Sequence, residues 1–127
     1  SLDSQTSQAL EEILISAGSD PTPQLEPIIL PTERVLDARG TSATLTEIIQ
    51  EEFAKGYYEE AARLLSNLLG VTLEPKLAAR AHFYLGQSHY FTEQYREGFL
   101  AFLLAREEYH TQVSPWMDRI LRILSET

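Results

Sequence analysis

The helical pattern of residues 45–69 recurs at residues 82–105, and this internal repeat is the feature that most restricts the fold. Leu45 corresponds to His82, so the two copies are 37 positions apart. In each copy, apolar residues recur every three or four positions on both sides of a short break. This spacing is typical of two amphipathic helices joined by a tight turn. A two-helix unit that occurs twice predicts an all-α domain built from stacked hairpins.

Two glycines occur in the second copy at positions where the apolar pattern continues past them. A glycine inside a helix costs about 1 kcal/mol relative to alanine, so Gly86 and Gly98 need a compensating role. Close approach of the two helices is the interpretation we favour, with Gly86 leaving room for Phe99 and Phe102. Helix C-caps are the alternative, which the continued periodicity disfavours. We therefore expect Gly86→Leu to overpack the hairpin.

The second copy resembles one tetratricopeptide repeat (TPR), a helix-turn-helix unit of about 34 residues. Leu85 and Gly86 match the Leu-Gly pair of the family pattern, Tyr95 follows the turn, and Phe102 matches the late aromatic residue. Three residues stand where the pattern has Trp, Tyr and Ala: His82, His89 and Gly98. The resemblance implies a TPR-like α-solenoid of two helix-turn-helix repeats plus a C-terminal capping helix.

The boundaries of this domain follow from helix start signals. We place it at residues 44–127, with repeat 1 at about 42–74, repeat 2 at about 75–111 and a final helix at 114–126. Thr44 and Glu47 have the spacing of a capping box, which predicts a helix start. Ser114 followed by Pro115 predicts the start of the final helix, with serine as its N-cap. We interpret this helix as closing the last hairpin; the alternative is the first helix of a truncated third repeat.

The chain before this domain has a different character. Residues 1–18 are predicted to contain a short amphipathic helix. Four prolines between positions 19 and 43 predict an extended, Pro-rich arm. The arm contains Ile28-Ile29-Leu30, which is more apolar than a solvated linker usually is. Two roles are open for this stretch: packing onto the domain's own helices, or binding to another chain.

The resemblance also implies a binding surface, because the first helix of each TPR hairpin lines a concave groove that holds a peptide or a partner's helix. The partner-binding positions transferred to this sequence are Gln50, Phe53, Arg80, Phe83, Gln87, Tyr90, Phe91, Asp118 and Arg122. The alternative is that residues 1–41 cover the aromatic positions Phe53, Tyr90 and Phe91, in cis or in trans. Two repeats are fewer than the roughly three that such folds usually need, which favours such a cover.

Composition narrows the possible functions. The formal net charge of −9 disfavours nucleic acid as a partner. No apolar run approaches the roughly 18 residues of a membrane-spanning helix, so we predict no membrane insertion. The chain has no cysteine, and His82 and His89 are two helical turns apart, about 10 Å, too far to share a metal ion. We predict no catalytic residue, no metal site and no cofactor.

These observations predict a non-catalytic protein–protein interaction module, an adaptor or scaffold that binds a peptide or helix of a partner in a larger assembly. The stretch Ala81-His82-Phe83-Tyr84-Leu85-Gly86-Gln87 also resembles TPR modules of bacterial cell-envelope proteins, including those of outer-membrane protein assembly and the Tol–Pal system. Either the cytoplasm or the bacterial periplasm fits this interpretation. Two alternatives stay open: a self-associating subunit, hence a homo-oligomer, whose N-terminal arm docks into a neighbouring copy, and an accessory subunit that binds a small ligand.

Overall fold

A computed structural model describes residues 25–34 and 40–126 of the chain, and over these residues the fold is all-helical, as predicted. The helix predicted within residues 1–18 lies outside the described residues. Residues 25–30 form neither helix nor strand and lead into a short 3₁₀ turn. Pro27 and Pro31 favour an extended backbone in the residues that precede them. The elements in chain order are the 3₁₀ turn Pro31–Arg34, α1 Gly40–Ile48 continuing as a π-helical turn Ile49–Phe53, α2 Tyr58–Leu68, α3 Pro75–Phe91 and α4 Tyr95–Ser125.

The two interhelical turns have the same backbone hydrogen bonds, displaced by 37 positions. In the turn between α1 and α2, the Tyr57 amide donates to the Glu52 carbonyl at 3.0 Å. In the turn between α3 and α4, the Gln94 amide donates to the His89 carbonyl at 2.8 Å. Each turn has a residue in the left-handed region directly before its last position: Gly56, with φ of 82°, and Glu93, with φ of 63°. The internal repeat found in the sequence is therefore present in the backbone of both turns.

The close approach expected at the two glycines is confirmed where α3 crosses α4. A Cβ atom on Gly86 would lie 2.7 Å from the Phe102 ring, and one on Gly98 would lie 3.2 Å from the Gly86 carbonyl oxygen. Tyr90, at the end of α3, contacts Tyr95, at the start of α4, whereas Phe83, further back along α3, contacts Tyr109, further along α4. The two helices therefore run antiparallel.

The predicted start of the first helix is wrong. Helix α1 begins at Gly40, four residues before Thr44, so Thr44 is no N-cap; its hydroxyl donates to the Gly40 carbonyl at 3.3 Å. The extra turn is held by a contact that the local sequence does not reveal, since Arg80 Nη1 donates to Ser42 Oγ at 3.1 Å.

The π-helical turn at the end of α1 was not predicted. The Ala54 amide donates to the Ile49 carbonyl at 2.8 Å, five residues back. Ile49 and Phe53, the first and last residues of this turn, both lie in the core, with exposures of 0% and 1%. The local sequence shows no feature that distinguishes such a turn from regular α-helix.

The predicted boundary between repeat 2, at about residue 111, and a final helix lies close to a bend in the helix, but the predicted start at Ser114 is wrong. Helix α4 bends at Tyr109, whose φ of −125° and ψ of 38° are not helical, and it continues past Ser114 and Pro115 without interruption. The Ser114 hydroxyl donates to the His110 carbonyl at 2.7 Å and caps nothing. Val113, just before the Ser-Pro pair, is fully buried. Its packing favours the helix here, although Pro115 lies inside the helix and has no amide hydrogen to donate.

The core lies between α3 and the elements on either side of it. Phe83 and Tyr84 are both fully buried. The Trp116 ring, from beyond the bend in α4, stacks on Phe102 with centroids 5.6 Å apart and also contacts Tyr90 and Phe91. This arrangement leaves one face of α3 to be covered by the extended segment that precedes α1.

Candidate functional site

The residues 25–34, named here the arm segment, lie against one face of α3. Three side chains of α3 bond to this segment: Arg80, Tyr84 and Gln87. Their spacing places them on one face of the helix over two turns. Arg80 and Gln87 were predicted as partner-binding positions, and the structure brings them together around a stretch of the protein's own chain. The groove formed by these three side chains and the end of α1 is named the α3 groove.

Gln87 binds the backbone of the arm segment at both of its polar groups. The Ile28 amide donates to Gln87 Oε1 at 2.7 Å, and Gln87 Nε2 donates to the Ile28 carbonyl at 3.1 Å. Gln87 is fully buried, so these two bonds satisfy an amide that would otherwise be costly to enclose. A side-chain amide that pairs with both backbone groups of one residue recognises the backbone and is indifferent to the side chain at that position.

Tyr84 connects the backbone of the arm segment to its acidic side chain. The Leu30 amide donates to Tyr84 Oη at 2.8 Å, and Tyr84 Oη donates to Glu33 Oε2 at 3.0 Å. Burial raises the pKa of the Tyr84 phenol, an effect that the Leu30 amide opposes and the Glu33 charge reinforces. The hydroxyl therefore stays protonated and keeps its donor role.

Glu33 and Arg80 form a buried ion pair at the end of the arm segment. Arg80 Nε donates to Glu33 Oε2 at 2.7 Å, and Arg80 Nη2 donates to Glu33 Oε1. Only 1% of the Glu33 side chain and 10% of the Arg80 side chain are exposed. Burial alone would lower the pKa of Arg80, but the hydrogen bonds and the charge of Glu33 raise it. Arg80 is therefore charged at neutral pH.

Two polar residues of α1 and its π-helical turn complete this pocket. Thr46 Oγ1 accepts from Arg80 Nη2 at 2.7 Å and donates to Glu33 Oε1 at 3.2 Å. Gln50, another predicted groove position, donates from Nε2 to the Glu33 carbonyl at 3.2 Å. The Glu33 carboxylate thus accepts bonds from Arg80, Tyr84 and Thr46. A pocket with these donors is suited to a carboxylate.

The other predicted groove positions have different surroundings. Phe53 and Phe83 are buried in the core, with exposures of 1% and 0%. Tyr90 and Phe91 are half-buried and contact Trp116. On the last part of α4, two further predicted positions are exposed: Asp118 and Arg122. The aromatic positions of α3 thus contribute to packing, and the polar ones bond to the arm segment.

Two residues of the site were not singled out by the sequence pattern. Tyr84 stands four positions after Arg80, on the same helix face, and this spacing was an available signal. Glu33 follows a run of apolar residues and prolines, and an acid there has no local feature that marks it as buried. Of the two roles considered for Ile28-Ile29-Leu30, the structure has the stretch packed onto the chain's own helices, with Leu30 buried and Ile28 half-buried.

Two further surfaces stand out on the described residues. A cleft of about 430 Å³ lies between α1 and α2, with Ile48, Leu64 and Leu68 in its lining together with three glutamates. On α4, Leu100, Leu103 and Leu104 are exposed at 59%, 46% and 62%. In neither place do buried polar side chains bond to a segment from elsewhere in the chain, as they do in the α3 groove.

Residues 25–34 and 40–126 contain no group of three or more His, Asp or Glu side chains placed to hold a metal ion. Over the same residues, no helix is long and apolar enough to span a bilayer. No protein-family model, no curated protein and no solved structure matches this chain.

Proposed function

We propose that this chain is a non-catalytic protein-interaction module with TPR-like hairpins, which acts as an adaptor by binding an extended segment of a partner protein in the α3 groove. The partner segment takes the place that the arm segment occupies in the isolated chain. The observation that carries the proposal is the pairing of Gln87 with both backbone groups of Ile28.

The polar groups of the groove support this proposal because they need an extended segment opposite them. With the arm segment in place, Gln87 is fully buried and Arg80 is 8% exposed, and removal of that segment breaks the hydrogen bonds of both side chains to it. Their bonds run to backbone atoms and to one carboxylate, features that a segment of another protein can supply. Backbone recognition of this kind is a common way to bind extended peptides.

The hairpin geometry supports the TPR-like part of the proposal. The hydrogen bonds of the two turns repeat after 37 positions, close to the length of about 34 residues that is usual for such units. The groove positions Arg80 and Gln87 lie on the first helix of the second hairpin, where the family resemblance implies a binding surface.

The arm segment competes with any partner for the groove. Only residues 35–39 separate it from α1. A short tether gives a local concentration on the order of millimolar, so a free peptide at micromolar concentration does not displace the arm segment. Partner binding therefore depends on weakening the hold of the groove on its own chain. Glu33 is the residue at which to do this, because its carboxylate is enclosed and paired with Arg80.

The test uses the full chain and a fluorescein-labelled peptide with the sequence of residues 25–34. Glu33→Arg places two guanidinium groups together and expels the arm segment, leaving the groove free. Glu26→Arg is the matched control, since it makes the same charge change at an exposed position of the same segment. Fluorescence anisotropy should show at least tenfold tighter binding to Glu33→Arg than to the wild type or to Glu26→Arg.

Circular dichroism shows whether the Glu33→Arg variant keeps its helices. If it loses them, the Glu33→Ala variant is used in the binding experiment. Equal anisotropy for the peptide and a scrambled version of it, with a folded variant, would overturn the proposed function.

A further inference from the structure

We infer that the α3 groove selects its ligand by a leucine followed three positions later by a glutamate, in an extended segment whose backbone is held two residues before the leucine. This inference rests on the proposed function and adds the chemical class of the partner: a peptide with an internal acidic side chain. The residues of the arm segment that define the class are Ile28, Leu30 and Glu33.

The first observation is the donor set around the Glu33 carboxylate. Oε1 accepts from Arg80 Nη2 and from Thr46 at 3.2 Å, and Oε2 accepts from Arg80 Nε at 2.7 Å and from Tyr84 at 3.0 Å. Each oxygen therefore has two donors. A glutamine in this place would point an NH₂ group at an N–H of Arg80, because its amide has only one acceptor oxygen. The pocket thus distinguishes a carboxylate from an amide of the same size.

The second observation fixes the spacing between the acid and the rest of the segment. The Glu33 amide donates to the Leu30 carbonyl at 3.0 Å, which closes the 3₁₀ turn that begins at Pro31. The turn places the Glu33 side chain back over α3 while the chain before it stays extended. Gln87 holds the backbone at Ile28, so the acid must stand five positions after the clamped residue, from 28 to 33. One residue more or less would carry the carboxylate away from Arg80.

Burial separates the positions that the groove recognises from those it does not. Leu30 is 6% exposed and Glu33 is 2% exposed, whereas Ile29 is 38% exposed. Glu26, Pro27, Pro31 and Thr32 are also exposed. Side chains that face solvent add little discrimination between ligands, so the selective positions are the leucine and the glutamate.

The experiment measures binding of a peptide series to the full-chain Glu33→Arg variant by fluorescence anisotropy. The parent peptide has the sequence of residues 25–34, and two peptides carry Glu33→Gln and Leu30→Ala. A fourth peptide carries Glu26→Gln, the same acid-to-amide change at an exposed position. A fifth has one alanine inserted between Leu30 and Pro31. We expect at least tenfold weaker binding for Glu33→Gln, Leu30→Ala and the insertion, and a change of less than twofold for Glu26→Gln.

The outcomes separate this inference from the proposed function. If the parent peptide binds and the Glu33→Gln and insertion peptides bind as tightly, the acidic selectivity is overturned and the peptide-binding function stands. If the Glu26→Gln peptide loses as much affinity as Glu33→Gln, recognition follows overall charge and the inference is again overturned. If the parent peptide binds no better than a scrambled one to the folded Glu33→Arg or Glu33→Ala chain, both the function and the inference are rejected.

Discussion

Arg80 Nε donates a 2.7 Å hydrogen bond to Oε2 of Glu33, a residue 47 positions earlier in the chain, and 1% of the Glu33 side chain is exposed. This pair fastens the extended arm segment to α3. It also sets the start of α1, because the same guanidinium donates to Ser42. One arginine therefore organises three elements: the arm segment, α1 and α3.

Loss of the arginine should destabilise the protein. Arg80→Met leaves the Glu33 carboxylate without its charged partner, and breaking an enclosed pair typically costs about 3 kcal/mol or more of the free energy of unfolding. We expect a loss of about 3 kcal/mol, because detachment of the arm segment rehydrates Glu33 and limits the penalty. Chemical denaturation followed by circular dichroism measures it. Arg63→Met, which breaks the exposed Glu60–Arg63 pair, is the control and should unfold near the wild-type midpoint. Equal midpoints for Arg80→Met and the wild type would contradict the structural role of the pair.

Gly86 should tolerate no larger side chain. A Cβ atom there would lie 2.7 Å from the Phe102 ring, well inside van der Waals contact. Gly86→Leu should lower the free energy of unfolding by about 1–3 kcal/mol through overpacking. Thermal melting checks this. Gly86→Ala should also lower the melting temperature, and Phe102→Leu in the Gly86→Ala background should recover part of that loss. Wild-type melting of Gly86→Leu would show that the helices do not cross closely at this point.

The two equivalent turns predict opposite effects of glycine substitutions. Glu93 has φ of 63°, and its counterpart Gly56 has φ of 82°. A residue with a side chain is strained in this region of φ, so Glu93→Gly should stabilise the protein by about 0.5–1 kcal/mol. The gain is smaller than the full strain energy because glycine also increases the conformational freedom of the unfolded chain. Gly56→Ala should destabilise it by about 1 kcal/mol. Urea denaturation of both variants measures these changes, and a loss of stability in Glu93→Gly would refute the assignment of strain.

Stability should fall as the solution becomes acidic. Burial lowers the pKa of His82, and burial lowers that of His89 while the Glu97 charge partly opposes the shift. His82 Nδ1 is also buried with no hydrogen-bond partner among the described residues. A histidine with a lowered pKa binds its proton more readily in the unfolded chain. Its contribution to stability is therefore complete above about pH 6.5, the unfolded value, and declines as the pH falls toward and through the folded value.

The measurement for this prediction is the denaturation midpoint between pH 8 and roughly pH 5. His82→Phe should show a shallower decline than the wild type, whereas the exposed His110→Gln should keep the wild-type profile. A His82→Phe protein with an unchanged profile would remove His82 as a source of the pH dependence.

Much of the helical framework was predictable because its signals lie within neighbouring residues. The 3.6-residue periodicity around Leu45 and Leu85, and the spacing of the two copies, require only the local chain. The close approach at Gly86 was also predictable, since a glycine inside a continuing helical pattern is costly unless a neighbouring helix needs the space of its missing side chain. The capping signals at Thr44 and Ser114 failed, because packing of Val113 and the Arg80–Ser42 bond extend both helices beyond their local start signals.

The sequence by itself determined the all-helical class and the two turns that repeat after 37 positions, since each depends on residues within a few positions of one another. Only the tertiary structure decided that the arm segment lies in the α3 groove and that Glu33 reaches Arg80. Burying a charge is favourable only when a partner of opposite charge encloses it. For Glu33, that partner is Arg80, 47 positions away along the chain, and no local pattern of residues indicates which distant side chain Glu33 will contact.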